Sequence, residues 1–412
     1  MKIIYIKLAF ILYLGIILSN NFLIKESQEY KYYSFKNSNH SKNYSVLIDP
    51  YKEMEDIQNY VDIIFNNILI DKGKNFYFNN CPKISIVITV YNGEAFLEKA
   101  LLSIQNQDFK DLEIIMIDDH SIDNSVNLIK DFMKIEPRIK LFQNSENRGM
   151  LFTKTKGILL SNGKYILLLD EDDIFIQRNA FTILYNEAEK YDLDILNFGL
   201  LMSKPKLEIN KNLRNRVEYP IIYNNEIRKT MFSNNSKGEV TFINGLLTNR
   251  FIKRSILIKA INQINPKLLN EKMNFHDDYV LNFLITRIAH KYKKIDRFFY
   301  MVLCGWDAKN KKVQLRNNEK LKNRKRMRCN SLLNFIEFIL EKTENNINDK
   351  KIAFYSFNKW FLNYWCRNFS ETIVKAINIS NKYLGNKYIQ EEDKKQIRNF
   401  LNESRVSFKG NR

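Results

Sequence analysis

The stretch Pro82–Ser121, "PKISIVITVYNGEAFLEKALLSIQNQDFKDLEIIMIDDHS", decides how the rest of the chain is read. It opens on an unbroken apolar run, "ISIVITV" (84–90), too short for a helix that buries itself and rich in β-branched residues, as strands are. In "EAFLEKALLSIQNQ" (94–107), Phe96, Leu97, Ala100, Leu101 and Ile104 then recur at helical spacing on one face. A second apolar run, "EIIMID" (113–118), follows. Strands that are apolar throughout, rather than in alternation, are those buried on both faces, and strand–helix–strand spacing of this length makes them parallel neighbours.

The pattern continues downstream. "NSVNLIKDFMKI" (124–135) reads as a helix, "RIKLF" (138–142) as a strand, "LFTKTKGILL" (151–160) as a helix stopped near Gly163, and "KYILLLD" (164–170) as a strand. This alternation predicts an α/β fold with a mostly parallel sheet covered by helices on both sides. Ligands in such sheets bind beyond the carboxyl ends of the strands. Those ends carry "TVYN" (89–92), "DDHS" (118–121) and "DEDD" (170–173), so three polar clusters are expected along one edge.

Carboxylates packed as tightly as Asp170, Glu171, Asp172 and Asp173 repel one another and resist ionising unless a cation or a ring of donors compensates. Several chemistries use such clusters. A dinucleotide-binding turn requires a glycine-rich loop after the first strand, whereas "VYNGEAF" has one glycine and a bulky tyrosine. A calcium-binding EF-hand loop fails because Ile174 stands where an oxygen ligand belongs. A D-x-D phosphatase of the haloacid dehalogenase type fits an apolar strand running into Asp170 and Asp172. That family, however, usually has a threonine at the place of Ile174 and its aspartate strand first in the chain. The remaining reading is a divalent cation, Mn²⁺ or Mg²⁺, held by oxygen ligands and through it a diphosphate.

At 412 residues and 45% apolar content the chain is long enough for a sizeable core and more than one structural unit. A formal charge of +19 arises from lysines scattered through every segment, which points to solvated faces rather than a polyanion-binding surface. The densest basic run, "KLKNRKRMR" (320–328), has no interleaved aromatic residue, and no nucleic-acid partner is expected. The four cysteines, Cys81, Cys304, Cys329 and Cys366, form no C-x-x-C pair, so a zinc site is not expected and buried free thiols are. The N-x-S/T sequons are too easily produced by an asparagine-rich chain to carry an argument.

The ends differ from the middle. Residues 1–23 contain an apolar run from Leu8 to Leu18 after Lys2 and Lys7, which reads as a signal peptide or a membrane anchor with the remainder across the membrane, in the secretory lumen. Residues 24–81 read as a stem with one amphipathic helix, marked by Met54, Ile57, Val61, Ile64 and Ile68. Residues 82–303 form the predicted catalytic unit. Residues 304–412 read as a basic helical region whose aromatic stripes, in "LLNFIEFILEK" and "KIAFYSFNKWFLNYW", are expected in a core.

Taken together, the stretch from Pro82, then "NRG" (147–149), "GKYILLLDEDD" (163–173) and "HDDYVLNFL" (276–284), resembles the family 2 glycosyltransferases with the GT-A fold, over about Pro82–Tyr300. The resemblance implies a GT-A type nucleotide-sugar-binding domain, flanked by an N-terminal apolar segment and a C-terminal helical appendage. It implies transfer, with inversion, of a sugar from a nucleotide-diphosphate donor such as a UDP-sugar to a hydroxyl of a glycan, lipid or protein acceptor. Thr89 and Tyr91 would line the nucleotide base and Asp119 would accept a hydrogen bond from it, with Asp118 structural. Asp170 would contact the ribose or the water shell of the cation, Asp172 would ligate the Mn²⁺ or Mg²⁺, and Asp173 would support them. Asp278 would be the general base. The chain departs from the family where A-R-N-x-G reads "TKTKG" (153–157), which puts Lys154 in place of an arginine as the neutraliser of the diphosphate. A second departure is Asp277–Asp278 in place of a glutamate–aspartate pair. An acid at a helix start also serves as a plain cap, and a relative that binds without turnover keeps the same fold.

Overall fold

The computed structural model describes residues 81–203, 219–234, 240–242, 246–303 and 318–342, with scattered positions between 57 and 64, between 375 and 379, and at 395. Eleven strands and nine helices of these segments are named here in chain order. They are β1 Ile84–Val90, α1 Leu97–Gln105, β2 Leu112–Asp118, α2 Ser125–Met133, β3 Ile139–Gln143, α3 Met150–Leu160, β4 Tyr165–Asp170, β5 Ile174–Phe175, α4 Ala180–Tyr191 and β6 Ile195–Ser203. There follow β7 Tyr219–Tyr223, α5 Asn225–Met231, β8 Phe232–Asn234, β9 Val240–Phe242, β10 Arg250–Lys253, α6 Arg254–Ile261, α7 Pro266–Asn270, α8 Asp277–Ile288, β11 Lys291–Leu303 and α9 Asn318–Lys342.

The main sheet runs β3-β2-β1-β4-β10-β6-β11-β5, with β7 on β11. Strands β1 to β4 are mutually parallel, β6 and β11 are parallel to each other, and β10, β5 and β7 run antiparallel to their neighbours. The mostly parallel α/β sheet expected from the alternation is therefore present, and the antiparallel β10 is what separates its two parallel halves.

Every residue of β1 and β2 is buried, because the sheet is covered on both sides. Ile86, Ile88, Ile114, Met116 and Leu167 face Leu97, Ala100, Leu101 and Ile104 of α1. Val87, Ile115, Ile117, Ile166 and Leu168 face the other layer, with Leu151 and Ile158 of α3 and Val280, Phe283 and Leu284 of α8. A Cβ on Gly157 would come within 2.4 Å of Val87 Cγ1, so this glycine lets α3 lie directly on β1.

Both flanking regions enter these layers. Leu332, Leu333, Phe335, Ile336, Phe338 and Ile339 of α9 are buried in the same cluster as α8, so the "LLNFIEFILEK" stripe is core. The second stripe lies outside the described residues. In the stem, Ile57, Tyr60, Val61 and Ile64 pack on Leu102, Ile174, Ile176 and Phe298, and the Tyr60 hydroxyl donates to the Ser103 carbonyl at 2.9 Å. This helix is therefore seated on the catalytic unit rather than standing apart as a spacer; Met54 and Ile68 lie outside the described residues. Cys81 is exposed and Cys329 is disulfide-bonded, which corrects the expectation of buried free thiols for these two. No helix among the described residues is long and apolar enough to cross a membrane, and residues 1–23 lie outside them.

Candidate active site

The register of the parallel strands brings the three polar clusters together. Thr89 pairs with Asp170 across β1 and β4, and Val90 with Asp118 across β1 and β2, so the chain leaves all three strands at one level. Tyr91, the first residue past β1, stands 45% exposed at this edge and offers its ring to a ligand. Thr89 is buried one step below and donates its hydroxyl to Met150 Sδ at 3.1 Å.

Asp118 and Asp119 divide the work of the second cluster. Asp118 accepts from the Ser121 N–H at 3.3 Å and stabilises the turn, in which His120 takes the left-handed conformation. Asp119 accepts from Asn144 Nδ2 (2.8 Å), the Arg148 N–H (2.8 Å) and the Gly149 N–H (2.9 Å). Its carboxylate thus organises the "NRG" loop while sitting beside Tyr91's strand end. A Cβ on Gly149, which sits at φ +87°, would come within 2.9 Å of the Met273 backbone nitrogen, and Leu151 N–H donates to the Met273 carbonyl. Through this contact the loop is tied to the segment that leads into α8.

The acidic loop after β4 is anchored by Asp173, which is buried and accepts from the Tyr300 hydroxyl at 2.8 Å and the Leu303 N–H at 3.0 Å. The same hydroxyl accepts from the Asp170 N–H at 3.3 Å, so Tyr300 of β11 links two of the acids. Asp172 is at the exposed crest of the loop. Glu171 is pushed up to about 8 by burial and by the charges of Asp172 and Asp170, and Asp173 is pushed well above the usual range by burial and the same neighbours. Sequence reasoning carried no signal for Tyr300, which reaches the site only because β11 pairs with β5 beside the loop.

Lys154 of α3 is 4% exposed, and its ammonium lies 2.8 Å from Asp277 Oδ2, 2.8 Å from Asp278 Oδ1 and 3.7 Å from Asp170 Oδ1. The sequence expectation gives this lysine to a diphosphate; the structure gives its charge to three carboxylates from two different elements. Burial works to lower its pKa, but the charges of Asp277, Asp278 and Asp170 outweigh it and hold the ammonium well above the ordinary lysine value. Asp278, 15% exposed, also accepts from the Leu247 N–H at 3.3 Å. Its carboxyl is raised, chiefly by burial and then by Asp277 against the pull of Lys154. The acids at the start of α8 therefore face Lys154, and no side chain caps the helix at His276. Arg250 of β10, 1% exposed, is a further charge beside Asp278; burial lowers its pKa to about 10.

This constellation suits a divalent cation electrostatically. Asp170 Oδ1 is buried without a hydrogen-bond partner, and one lysine offsets the charge of Asp170, Asp277 and Asp278 only in part. Among the described residues no three acidic, histidine or cysteine side chains are gathered into a ready-made cage. A cation here would complete its shell with water and substrate oxygens, as Mg²⁺ commonly does.

Comparison with known proteins agrees with this geometry. Residues 85–259 match Glycosyl transferase family 2. Over 111 residues the chain is 38% identical to the GalNAc(5)-diNAcBac-PP-undecaprenol beta-1,3-glucosyltransferase of Campylobacter jejuni, spanning 27% of this chain and 36% of that protein. It is 25% identical over 309 residues to the cholesterol galactosyltransferase of Borreliella burgdorferi, covering 74% of this chain and 80% of that one. Among solved structures, S. aureus TarS superposes with a TM-score of 0.51 at 15% identity, over 80% of this chain and 92% of that one, a likeness of fold. The α/β unit built on β1, β2 and β4 has a GT-A-like fold, and over residues 85–259 its sequence is similar to glycosyl transferase family 2.

Proposed function

We propose that this domain transfers a sugar with inversion from a nucleotide-diphosphate donor, a UDP-sugar foremost, to a hydroxyl acceptor, with Asp278 as the general base. The observation that carries this reading is the meeting of Tyr91, Asp119 and Asp170 with Asp278 at one sheet edge, joined through Lys154. Tyr91 offers a stacking face for the base, Asp119 retains lone-pair capacity for a donor on it, and Asp170 faces the sugar–diphosphate side. Asp172, with the acids around it, would hold Mn²⁺ or Mg²⁺, which supplies Lewis-acid stabilisation of the departing diphosphate.

The residues of the chain account for the rest. Breaking the bond from sugar to diphosphate develops positive charge on the ring, as in other glycosyl transfers. The acceptor oxygen attacks the anomeric carbon from the side opposite the leaving group and gives its proton to an Asp278 oxygen. Burial raises the proton affinity of that carboxylate, which improves it as a base, while the charge of Lys154 works against that rise. The acceptor is a glycan or a lipid, the two kinds of molecule named for the relatives above. We further propose that residues 1–23 direct the chain into or across a membrane, so that catalysis takes place on the lumenal side.

A thermal-shift panel of nucleotide sugars with and without Mn²⁺ tests the donor. A shift that requires the cation in the wild type and is largely lost in Asp172→Asn is expected, because an amide is a poorer ligand for a hard cation. An unchanged cation dependence in that variant refutes the role of Asp172. Cation-dependent binding without release or transfer of the sugar would instead make the domain a binding module.

A further inference from the structure

The basic run 320–328 lacks aromatic residues of its own, yet the fold supplies one. Arg324 and Arg328, one helical turn apart on α9, both lie over the ring of Phe275, at 5.8 and 4.8 Å from its centroid. Both are exposed, and no carboxylate pairs with either among the described residues. Two like charges at i and i+4 disfavour the helix that carries them. Phe275 shares their charge as a cation–π partner but does not neutralise it. An anion between the two guanidinium groups would relieve this repulsion.

Its position gives the anion a role. Phe275 directly precedes His276, Asp277 and Asp278, so the ring beneath the arginines is part of the segment that presents the candidate base. Arg328 and Asp278 both act on the charge of the half-buried His276, whose pKa is lowered to about 4, chiefly by burial and then by Arg328. The donor side, with Asp119, Asp170 and Asp172, is reached from the strand ends instead. A planar fork suits phosphate oxygens, which it grips bidentately, better than it suits neutral sugar hydroxyls.

We propose that Arg324 and Arg328, braced on Phe275, bind a phosphate or diphosphate group carried by the acceptor, so that the substrate class is a phosphorylated glycan or a glycan on a lipid phosphate. This rests on Asp278 marking the acceptor side, and it names the acceptor class of that same site.

The test uses the full chain in EDTA, which removes the cation on which the donor site is proposed to depend. Binding of inorganic tripolyphosphate is measured by calorimetry, and binding to phosphatidylcholine vesicles doped with farnesyl diphosphate by flotation. Arg324→Ala/Arg328→Ala should weaken either binding at least tenfold, Arg324→Lys/Arg328→Lys should fall between, and Asp172→Asn should bind as the wild type does. Binding to the soluble probe alone points to a soluble phosphorylated acceptor, and a gain on the doped vesicles to a lipid-linked one; both support the proposal. Unchanged affinity in the double alanine variant overturns it, as does equal loss in Asp172→Asn. Equal binding to phosphatidylglycerol vesicles also overturns it, since the pair would then be a general membrane contact. The readout is independent of turnover: if no nucleotide sugar is consumed, the glycosyltransferase reading of the site fails while anion binding is still decided. Retention of the Mn²⁺-dependent nucleotide response in the double variant shows that it is folded.

Discussion

Lys154→Met isolates the electrostatic link between the two halves of the site. Methionine keeps the length of the side chain and removes only the ammonium, leaving Asp277 and Asp278, each 2.8 Å from it, as buried acids without their counter-charge. Removing one partner of a buried pair costs about 3–5 kcal/mol. The loss has a ceiling, because a stranded carboxylate can take up a proton instead. Protonating an aspartate of ordinary pKa costs about 5 kcal/mol at pH 7.5 and about 2 kcal/mol at pH 5.5, at about 1.4 kcal/mol per unit. In the variant the folded-state carboxyl pKa lies above the unfolded value, so the folded form binds more protons. Its stability is then greatest at acid pH and declines as pH rises through the folded-state value. The stability difference from wild type should accordingly be about 3–5 kcal/mol in urea melts at pH 7.5 and shrink to about 2 kcal/mol at pH 5.5. For a domain of this size the larger figure corresponds to a Tm lower by roughly 6–20 °C. A difference below about 1 kcal/mol at pH 7.5, or one that is the same at both pH values, would refute the assignment of Lys154 as the counter-charge.

Asp278→Asn should preserve fold and donor affinity and slow transfer by about 10²- to 10⁴-fold, the usual contribution of a positioned base, with Asp277→Asn costing less. Near-normal transfer rates in Asp278→Asn with donor bound would move the search to Asp277 or His276. Removal of residues 1–23 should release a tagged protein from the membrane or lumenal fraction, and a full-length protein found soluble in the cytosol counts against the targeting reading. Ile64→Ala should cost about 2–5 kcal/mol in a urea melt, because Ile64 is fully buried against the catalytic unit. A chain begun at Pro82 should be destabilised in the same direction, and equal stability of both with wild type would mean that the stem helix is dispensable.

By itself the sequence determined the layers and the edge. Runs such as "ISIVITV" and "YILLLD" are apolar at every position because both of their faces are covered, and that property is local enough to read without a structure. The helices between them were legible from spacing, with Leu97, Ala100, Leu101 and Ile104 buried as the periodicity of α1 requires. So was the gathering of Tyr91, Asp119 and Asp170, since parallel strands joined by helices must end at the same side. Tertiary structure alone decided the partners. Lys154 and Asp278 are far apart in the chain, and nothing local in either segment indicates that one neutralises the other. Tyr300 under the acidic loop, Arg250 beside Asp278, the stem helix on Ile174 and Phe298, and the arginines of α9 over Phe275 are likewise long-range pairings. Periodicity reports which face of an element is buried, whereas the identity of the group across that interface depends on how separate elements stack. Charge pairing across such an interface leaves no trace in the spacing of either segment.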